Sequence, residues 1–461
     1  MTHLNNRFAR AIKLAALALA PVNSAFAQCS NGWSTTEGVP GLDNTPFVMQ
    51  MWDRDGSGPL PPLLVAGGRF VNAGNTPASK IAAWNPATNV WSAFGLGMNE
   101  YVLALASVSN GSGGNDLIAS GGFNQAGGGQ AIGIARWNGT SWSAMGTGND
   151  VRDTYALAVL PGGTLVIGGT FLFVNQNFAV LANHVARWDG ANWQAMGTGM
   201  NDHVFAFAVL PGGDLIAGGY FTNAGGNPAN YIARWSGASW SPLGLGTDGF
   251  VFALSLLPSG DLVVAGNFNN AGGAPASKVA RWSSAGGGTW SAFGAGVNFE
   301  TRAIAVLPAA PGTEDFVVGG QFTMAGGNPA NKIARWTRVG AAPGKWSTLG
   351  SGMDSDVRAL ATLIGPAHAG DFVVGGNFST AGGVDSIRFA HYRVNSCPSD
   401  LTCDGQVDDG DFVDFVAAYN ILDCADPAMP PGCPADINGD GFVDDSDFVQ
   451  FVVAYNALVC P

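Results

Sequence analysis

Between residues 67 and 378 the chain keeps returning to one short pattern. A segment of the type Gly-Gly-x-Phe ends at Phe70, Phe123, Phe171, Phe221, Phe268, Phe322 and Phe378, at intervals of 47 to 56 residues. An Ala-x-Trp marker follows at Trp84, Trp137, Trp188, Trp235, Trp282 and Trp336, with Tyr392 in the seventh place. A third marker comes at Trp91, Trp142, Trp193, Trp240, Trp290 and Trp346. One such unit cannot bury its apolar face alone, so a fixed period of this length restricts the fold to stacked or radial arrays.

The unit 204–246 is the clearest. Val204-Phe-Ala-Phe-Ala-Val-Leu210 is apolar throughout, as a strand buried on both faces would be. Pro211-Gly-Gly-Asp214 is a hairpin turn, and Leu215 to Phe221 reads as the second strand. Ile232-Ala-Arg-Trp235 alternates, Ser236 to Ser239 turns the chain, and Trp240 opens an outer strand. Four antiparallel strands in about 50 residues make a propeller blade. The seventh unit lacks its third Trp, but Asn31-Gly-Trp33-Ser matches Asn138-Gly-Thr-Ser-Trp142-Ser. The expected fold is therefore an all-β, seven-bladed β-propeller over residues 28–394, closed by its N-terminal strand so that no blade edge stays open. A solenoid has no reason to split one unit between its termini. The pattern resembles secreted bacterial propeller-repeat proteins, kelch-like and WD-like in architecture, a likeness that specifies fold rather than function.

Only 11% of residues are charged and 68 of 461 are glycine, which suits a turn-rich β chain. A net charge of −13 with no basic cluster excludes nucleic acid and favours a divalent cation. Residues 1–27 read as a signal peptide: Arg7, Arg10 and Lys13 precede the apolar Leu14 to Ala20, and Ala25-Phe-Ala27 is a cleavage site. The apolar run is too short to span a membrane. The expectation is a secreted protein cut after Ala27, with its six cysteines in three disulfides.

From Asn395 the composition turns to Asp, Cys and Pro, and one motif occurs twice with an offset of 36 residues. In the second copy Asp436, Asn438 and Asp440 fall at positions 1, 3 and 5 of a calcium loop, Gly441 makes the turn, Phe442 offers its carbonyl, and Asp444 and Asp447 complete the set. The first copy supplies Asp400, Thr402, Asp404, the Gln406 carbonyl, Asp408 and Asp411. Thr402 is a short neutral ligand, so of the two expected Ca²⁺ sites the second is the stronger. Residues 395–461 resemble a type I dockerin, a small α-helical calcium-binding domain of two loop-then-helix repeats. The resemblance implies helices over Phe412–Tyr419 and Phe448–Tyr455 and a cohesin-like partner. It maps the partner-contacting positions to Asp409 and Gly410, and to Asp445 and Ser446, where the family's usual hydroxyl pair is absent.

The same offset relates Cys397 to Cys433 and Cys424 to Cys460. Two disulfide schemes obey that symmetry. Cys397–Cys424 with Cys433–Cys460 would join points ~15 Å apart across a helix, beyond the roughly 7 Å that a disulfide spans. Cys424–Cys433 with Cys397–Cys460 is preferred, leaving Cys29 with Cys403, against Cys29–Cys397 as the competing pair.

No catalytic signature is present. His3, His184, His203, His368 and His391 are scattered, and Gly127-Gly-Gly-Gln-Ala-Ile-Gly is loop and strand filler rather than a phosphate cradle. The repeated tryptophans read as blade core. Carboxylates recur before each inner strand, at Asp43, Glu100, Asp150, Asp202, Asp248, Glu300 and Asp356, with Asp153 and Asp354 extra. They would ring the channel mouth, or else serve turn chemistry. Within the inner strand one slot reads Phe47, Leu103, Tyr155, Phe205, Phe252, Arg302 and Arg358; the two arginines would meet an anionic group, or pair with Glu300 and Asp356. The leading expectation is a non-catalytic propeller that binds a carbohydrate or protein ligand on one face, with a calcium-dependent docking module, in a polysaccharide-degrading context. The alternative is a polysaccharide-active glycoside hydrolase or lyase delivered by that module.

Overall fold

The structure, a computed structural model, describes residues 32–34, 41–146, 151–175, 179–365, 368, 370–394, 409–424, 426, 429, 435–437 and 442–457. The expected signal peptide and Cys29 lie outside these residues. The chain divides into two compact units. One comprises Trp33–Leu363 and Asp371–Tyr392, and the other contains Arg393–Pro461. Among the described residues no helix is long and apolar enough to cross a membrane.

The first unit is a seven-bladed propeller of four-stranded antiparallel sheets. The inner strands are Pro46–Trp52, Val102–Ser109, Thr154–Val159, Val204–Val209, Phe250–Leu256, Thr301–Val306 and Val357–Thr362. Each packs beside the next, and the last packs against the first, which closes the ring. Blade 4 corrects one expectation about burial. The strand buried at every residue is the second, Leu215–Gly219, while the inner strand leaves Phe205 and Phe207 half-exposed. The inner strand borders the channel, so its apolar run serves a lining as well as a core.

The repeated markers are core residues. Phe70, Phe123, Phe221 and Phe322 are fully buried, and Trp84, Trp235, Trp282 and Trp336 nearly so. Burying such a ring is worth roughly 1.5–3 kcal/mol over leaving it exposed. The outer-strand tryptophans also hook adjacent blades. Indole Nε1 donates to a carbonyl of the preceding blade from Trp142 to Phe94 (2.9 Å), from Trp240 to Met196 (2.9 Å), from Trp290 to Leu243 (3.0 Å) and from Trp346 to Phe293 (2.8 Å). Trp33, in the N-terminal strand Gly32–Ser34, makes the same hook to Leu349 at 3.0 Å, and its strand is the outer strand of blade 7. The arginine of Ala-Arg-Trp pairs with a carboxylate at the start of the second strand, as in Arg136–Asp116, Arg234–Asp214 and Arg335–Asp315. In blade 7 His391 takes that role, 3.0 Å from Asp371.

Each blade also carries a short hairpin between its second and third strands that the sequence reading did not foresee. In blade 4 Asn223–Ala224 pairs with Asn227–Pro228 around Gly225 and Gly226. Both glycines have positive φ, +63° and +85°, as a type I′ turn requires.

In the second unit, helix α1 spans Asp409–Tyr419 and helix α2 spans Asp445–Ala457. Phe412, Phe415, Ala418, Phe451 and Tyr455 pack with Val443 into a small core, with Phe415 and Phe451 stacked at 4.8 Å. The hydroxyl of Tyr419 donates to Asp445 and that of Tyr455 to Asp409. These two bonds exchange under the 36-residue offset, so the sequence repeat appears as a local two-fold relation. Cys424 is disulfide-bonded, and its partner lies outside the described residues.

Candidate functional site

The inner and second strands lose register at one place in every blade, between Pro46 and Val48, Val102 and Ala104, Thr154 and Ala156, Val204 and Ala206, Val251 and Ala253, Thr301 and Ala303, and Val357 and Ala359. The skipped residues are Phe47, Leu103, Tyr155, Phe205, Phe252, Arg302 and Arg358. The slot noted in the sequence is thus a β-bulge, a device that leaves one residue unpaired and re-aims its side chain. The bulge also explains the last glycine before the x of Gly-Gly-x-Phe. A Cβ on Gly68, Gly121, Gly169, Gly219, Gly266, Gly320 or Gly376 would lie 1.9–2.4 Å from the carbonyl oxygen of Thr45, Tyr101, Asp153, His203, Phe250, Glu300 or Asp356 respectively. Only glycine lets this carbonyl in, and each bulge then displays two side chains where the inner strands begin.

Around the mouth those side chains form two sectors. In blades 1 to 5 they are mostly aromatic. Phe47 meets Tyr101 edge-on at 6.5 Å, Tyr155 meets Phe205 at 5.0 Å, and Phe205 lies 5.9 Å from Phe252. Tyr220, in the second strand's following turn, packs 4.7 Å from Phe205 and 3.9 Å from Phe250. The Arg69 guanidinium sits over Phe47 and Tyr101, and that of Arg302 over Phe252. All these aromatic rings are half-buried. Blades 6 and 7 instead carry two ion pairs, Arg302–Glu300 and Arg358–Asp356. Burial raises the Asp356 pKa, but hydrogen bonding from Asn377 and the Arg358 charge outweigh it and hold the carboxyl below its usual range. A paired, depressed carboxylate is a poor general acid.

Of the two readings of the recurrent carboxylates, turn chemistry rather than a ring of equivalent groups is the one the structure shows for Asp43, Asp248 and Asp354. The recurrent carboxylates fall in different registers. Asp43, Asp248 and Asp354 turn outward and accept backbone N–H bonds from the short hairpins, at Val71 (2.8 Å), at Asn269 (2.7 Å) and Asn270 (2.8 Å), and at Ser379 (2.8 Å) and Thr380 (3.1 Å). Asn99, Asn201 and Asn298 do the same in their blades. Asp202 accepts from the His203 N–H at 2.8 Å. Glu100 is exposed, and Asp150 lies outside the described residues. Glu300 and Asp356 are neutralised by the two arginines, which therefore do not stand ready for an anion.

A cleft of about 510 Å³ opens on the same face between blades 2 and 3, lined by Tyr101, Gly122, Arg152, Asp153, Thr170, Leu172 and Phe173 among others. Tyr101 Oη donates to Asp153 Oδ1 at 2.7 Å, and this bond, with burial, pushes the phenol pKa up to about 12. Tyr101 is thus a fixed donor at any ordinary pH.

Of the calcium-ligand candidates, Asp411 and Asp447 are fully buried on the first turns of α1 and α2. Asp447 accepts from the Ile437 N–H at 2.8 Å and the Asp444 N–H at 3.0 Å, tying the start of its loop to the end. Asp444 accepts from the Ser446 N–H at 2.8 Å and Oγ at 2.7 Å. Phe442 bridges to Asp423 with its side chain exposed. Asp436 begins the same loop, next to Ile437. Asp400, Thr402, Asp404, Gln406, Asp408, Asn438 and Asp440 lie outside the described residues.

The family described as "Domain of unknown function (DUF5122) beta-propeller" matches residues 211–234 and 257–286, parts of blades 4 and 5. No curated protein sequence matches the chain. Similar solved structures include virginiamycin B lyase from Staphylococcus aureus, at 12% identity over 77% of this chain and 96% of that one with a TM-score of 0.47. A chain of the mitotic checkpoint complex matches at 14% identity over 82% and 95%, TM-score 0.47. An ancestral GH74 enzyme matches at 12% identity over 78% of this chain and 48% of its own, TM-score 0.48.

Proposed function

We propose that this chain is a secreted, non-catalytic binding protein whose propeller takes a glycan at the bulge-lined mouth. One observation carries the reading: seven bulges present their side chains at one end of the channel, and five adjacent blades fill that position with apolar, mostly aromatic groups beside polar ones. Half-buried rings offer flat apolar faces to the C–H side of a sugar, while the neighbouring carboxylates, hydroxyls and guanidinia offer the few placed polar groups that fix orientation. The arginine-bound state of Glu300 and Asp356 supports binding over glycoside cleavage, which needs an available acid and a second carboxylate.

The C-terminal unit is proposed as a calcium-dependent docking module with a cohesin-like partner. Its donor set is all oxygen, as hard Ca²⁺ prefers, and the buried Asp411 and Asp447 carboxylates fit a cation at each helix start. The second loop is proposed as the tighter site. The test of the main reading is a carbohydrate array run with a reducing-end assay on one preparation. Retention of a glycan without new reducing ends supports it. Release of new ends identifies the polysaccharide-active enzyme instead.

A further inference from the structure

Blade 3 departs from its neighbours at several positions that converge on one place. The segment entering blade 3 is one residue longer than its counterparts, six from Gly148 to Thr154 against five from Gly199 to Val204, and its last residues place Val151 in the core. The hairpin's first residues, Thr222-Asn223, Asn269-Asn270 and Ser379-Thr380 in blades 4, 5 and 7, are Leu172-Phe173 in blade 3, exposed at 48% and 36%. Asp153 is left-handed, with φ +57°, whereas its counterparts Thr45, Tyr101, His203, Phe250, Glu300 and Asp356 have no positive φ. In blade 2 the side chain that would stand beside it is missing, because Gly122 occupies the place of Arg69 and Tyr220. A Cβ on Gly122 would lie 2.4 Å from the Tyr101 ring.

These departures create the cleft. Its volume of about 510 Å³ falls in the range of small-ligand sites, roughly 300–1,000 Å³. One wall is apolar, from Leu172 and Phe173. The cleft is also lined by Asp153, whose Oδ1 already orients the Tyr101 hydroxyl at 2.7 Å, and by Thr170 and Arg152. A non-glycine residue held left-handed is strained and persists only where the surrounding structure maintains it. Val151 packs into the blade core with Phe171 and Trp193, whereas Leu172, Phe173 and the left-handed Asp153 stand outside it.

We infer that the cleft between blades 2 and 3 is the primary sugar subsite of the propeller, seating one end of a short oligosaccharide. A pyranose has the matching chemistry. Its C–H face packs on Leu172 and Phe173, and adjacent hydroxyls donate to Asp153 and exchange hydrogen bonds with Thr170. The inference rests on the reading that the mouth binds glycans, and names the place where binding is strongest.

The test uses the full chain and a panel of short neutral and uronate-bearing oligosaccharides, measured by titration calorimetry. Asp153→Asn keeps an acceptor for Tyr101 and tolerates the left-handed backbone; Phe173→Ala shortens the apolar wall. Phe252→Ala, on the far side of the aromatic sector, is the comparison. Each variant is accepted only with an unchanged melting profile. The inference predicts at least tenfold weaker binding in both cleft variants and a smaller loss in Phe252→Ala, whose ring belongs to the mouth but not to the cleft. Loss in Phe252→Ala with unchanged affinity in the cleft variants overturns the cleft while leaving the mouth as a glycan site. No binding of any oligosaccharide to the wild type overturns both.

Discussion

A Cβ at position 219 would lie 2.0 Å from the His203 carbonyl oxygen, which cannot retreat without undoing the bulge that presents Phe205. Gly219→Ala is therefore expected to cost about 1–3 kcal/mol, read as a fall in thermal midpoint. Gly212→Ala, where no atom stands within 4 Å of the added carbon, should stay within about 0.5 kcal/mol. His184 gives a pH signature. Burial lowers its pKa, although the Gly169 carbonyl works against that shift. Unfolded, it binds a proton near its ordinary pKa of about 6.5; folded, it resists. Stability should fall as pH drops below that value, and the loss should end once the folded pKa is passed. His184→Asn tolerates the same left-handed backbone, φ +73°, and should flatten the slope in denaturant titrations from pH 7 to 5. An unchanged slope would assign the effect elsewhere. Much at this scale was legible: the motif phenylalanines and tryptophans are core because nothing else recurs with such regularity. The bulge was not, since two residues opposing one is a property of strand pairing. The turn role of Asp43 and the pairing of Asp356 with Arg358 were open to reading, but not which carboxylate takes which part. Asp43 lies three residues before its strand and caps the hairpin as Asp354 does, while Asp356 immediately precedes its strand, at the place of Thr45, and turns toward Arg358.

Strand Gly32–Ser34 carries the closure of the ring. A chain starting at Thr35 would leave Phe389–Arg393 as an open edge in blade 7, and open edges pair with other chains. Such a chain should aggregate or melt well below the full-length protein; monomeric behaviour with unchanged melting would contradict the closure. Trp33→Phe keeps the strand but removes the bond to Leu349 and part of the ring packed on Tyr392 and Phe372, so a loss of about 1–3 kcal/mol is expected. The closing strand could be read from the sequence because its Trp fills the vacancy left in the seventh unit. The short hairpins are not legible in the sequence because two-residue strands carry no alternation.

Taken whole, the chain has two kinds of stability. The propeller is held by repeated apolar contacts between blades. The C-terminal unit has a small core and buries Asp411 and Asp447, carboxylates that a cation would neutralise. If calcium binds there, metal removal is coupled to unfolding. Calorimetry with chelator should abolish one transition and spare the other, and Asp447→Ala should reproduce that loss at the second site. A profile insensitive to chelator would remove calcium from the account. The propeller's role is tested most directly by hydrogen–deuterium exchange with and without the tightest-binding glycan of an array. The account predicts slowed exchange at the bulges of blades 1 to 5 and the segments leading into them, residues 45–47, 101–103, 153–155, 203–205 and 250–252. Protection confined to the outer strands or to the opposite end of the channel would contradict it.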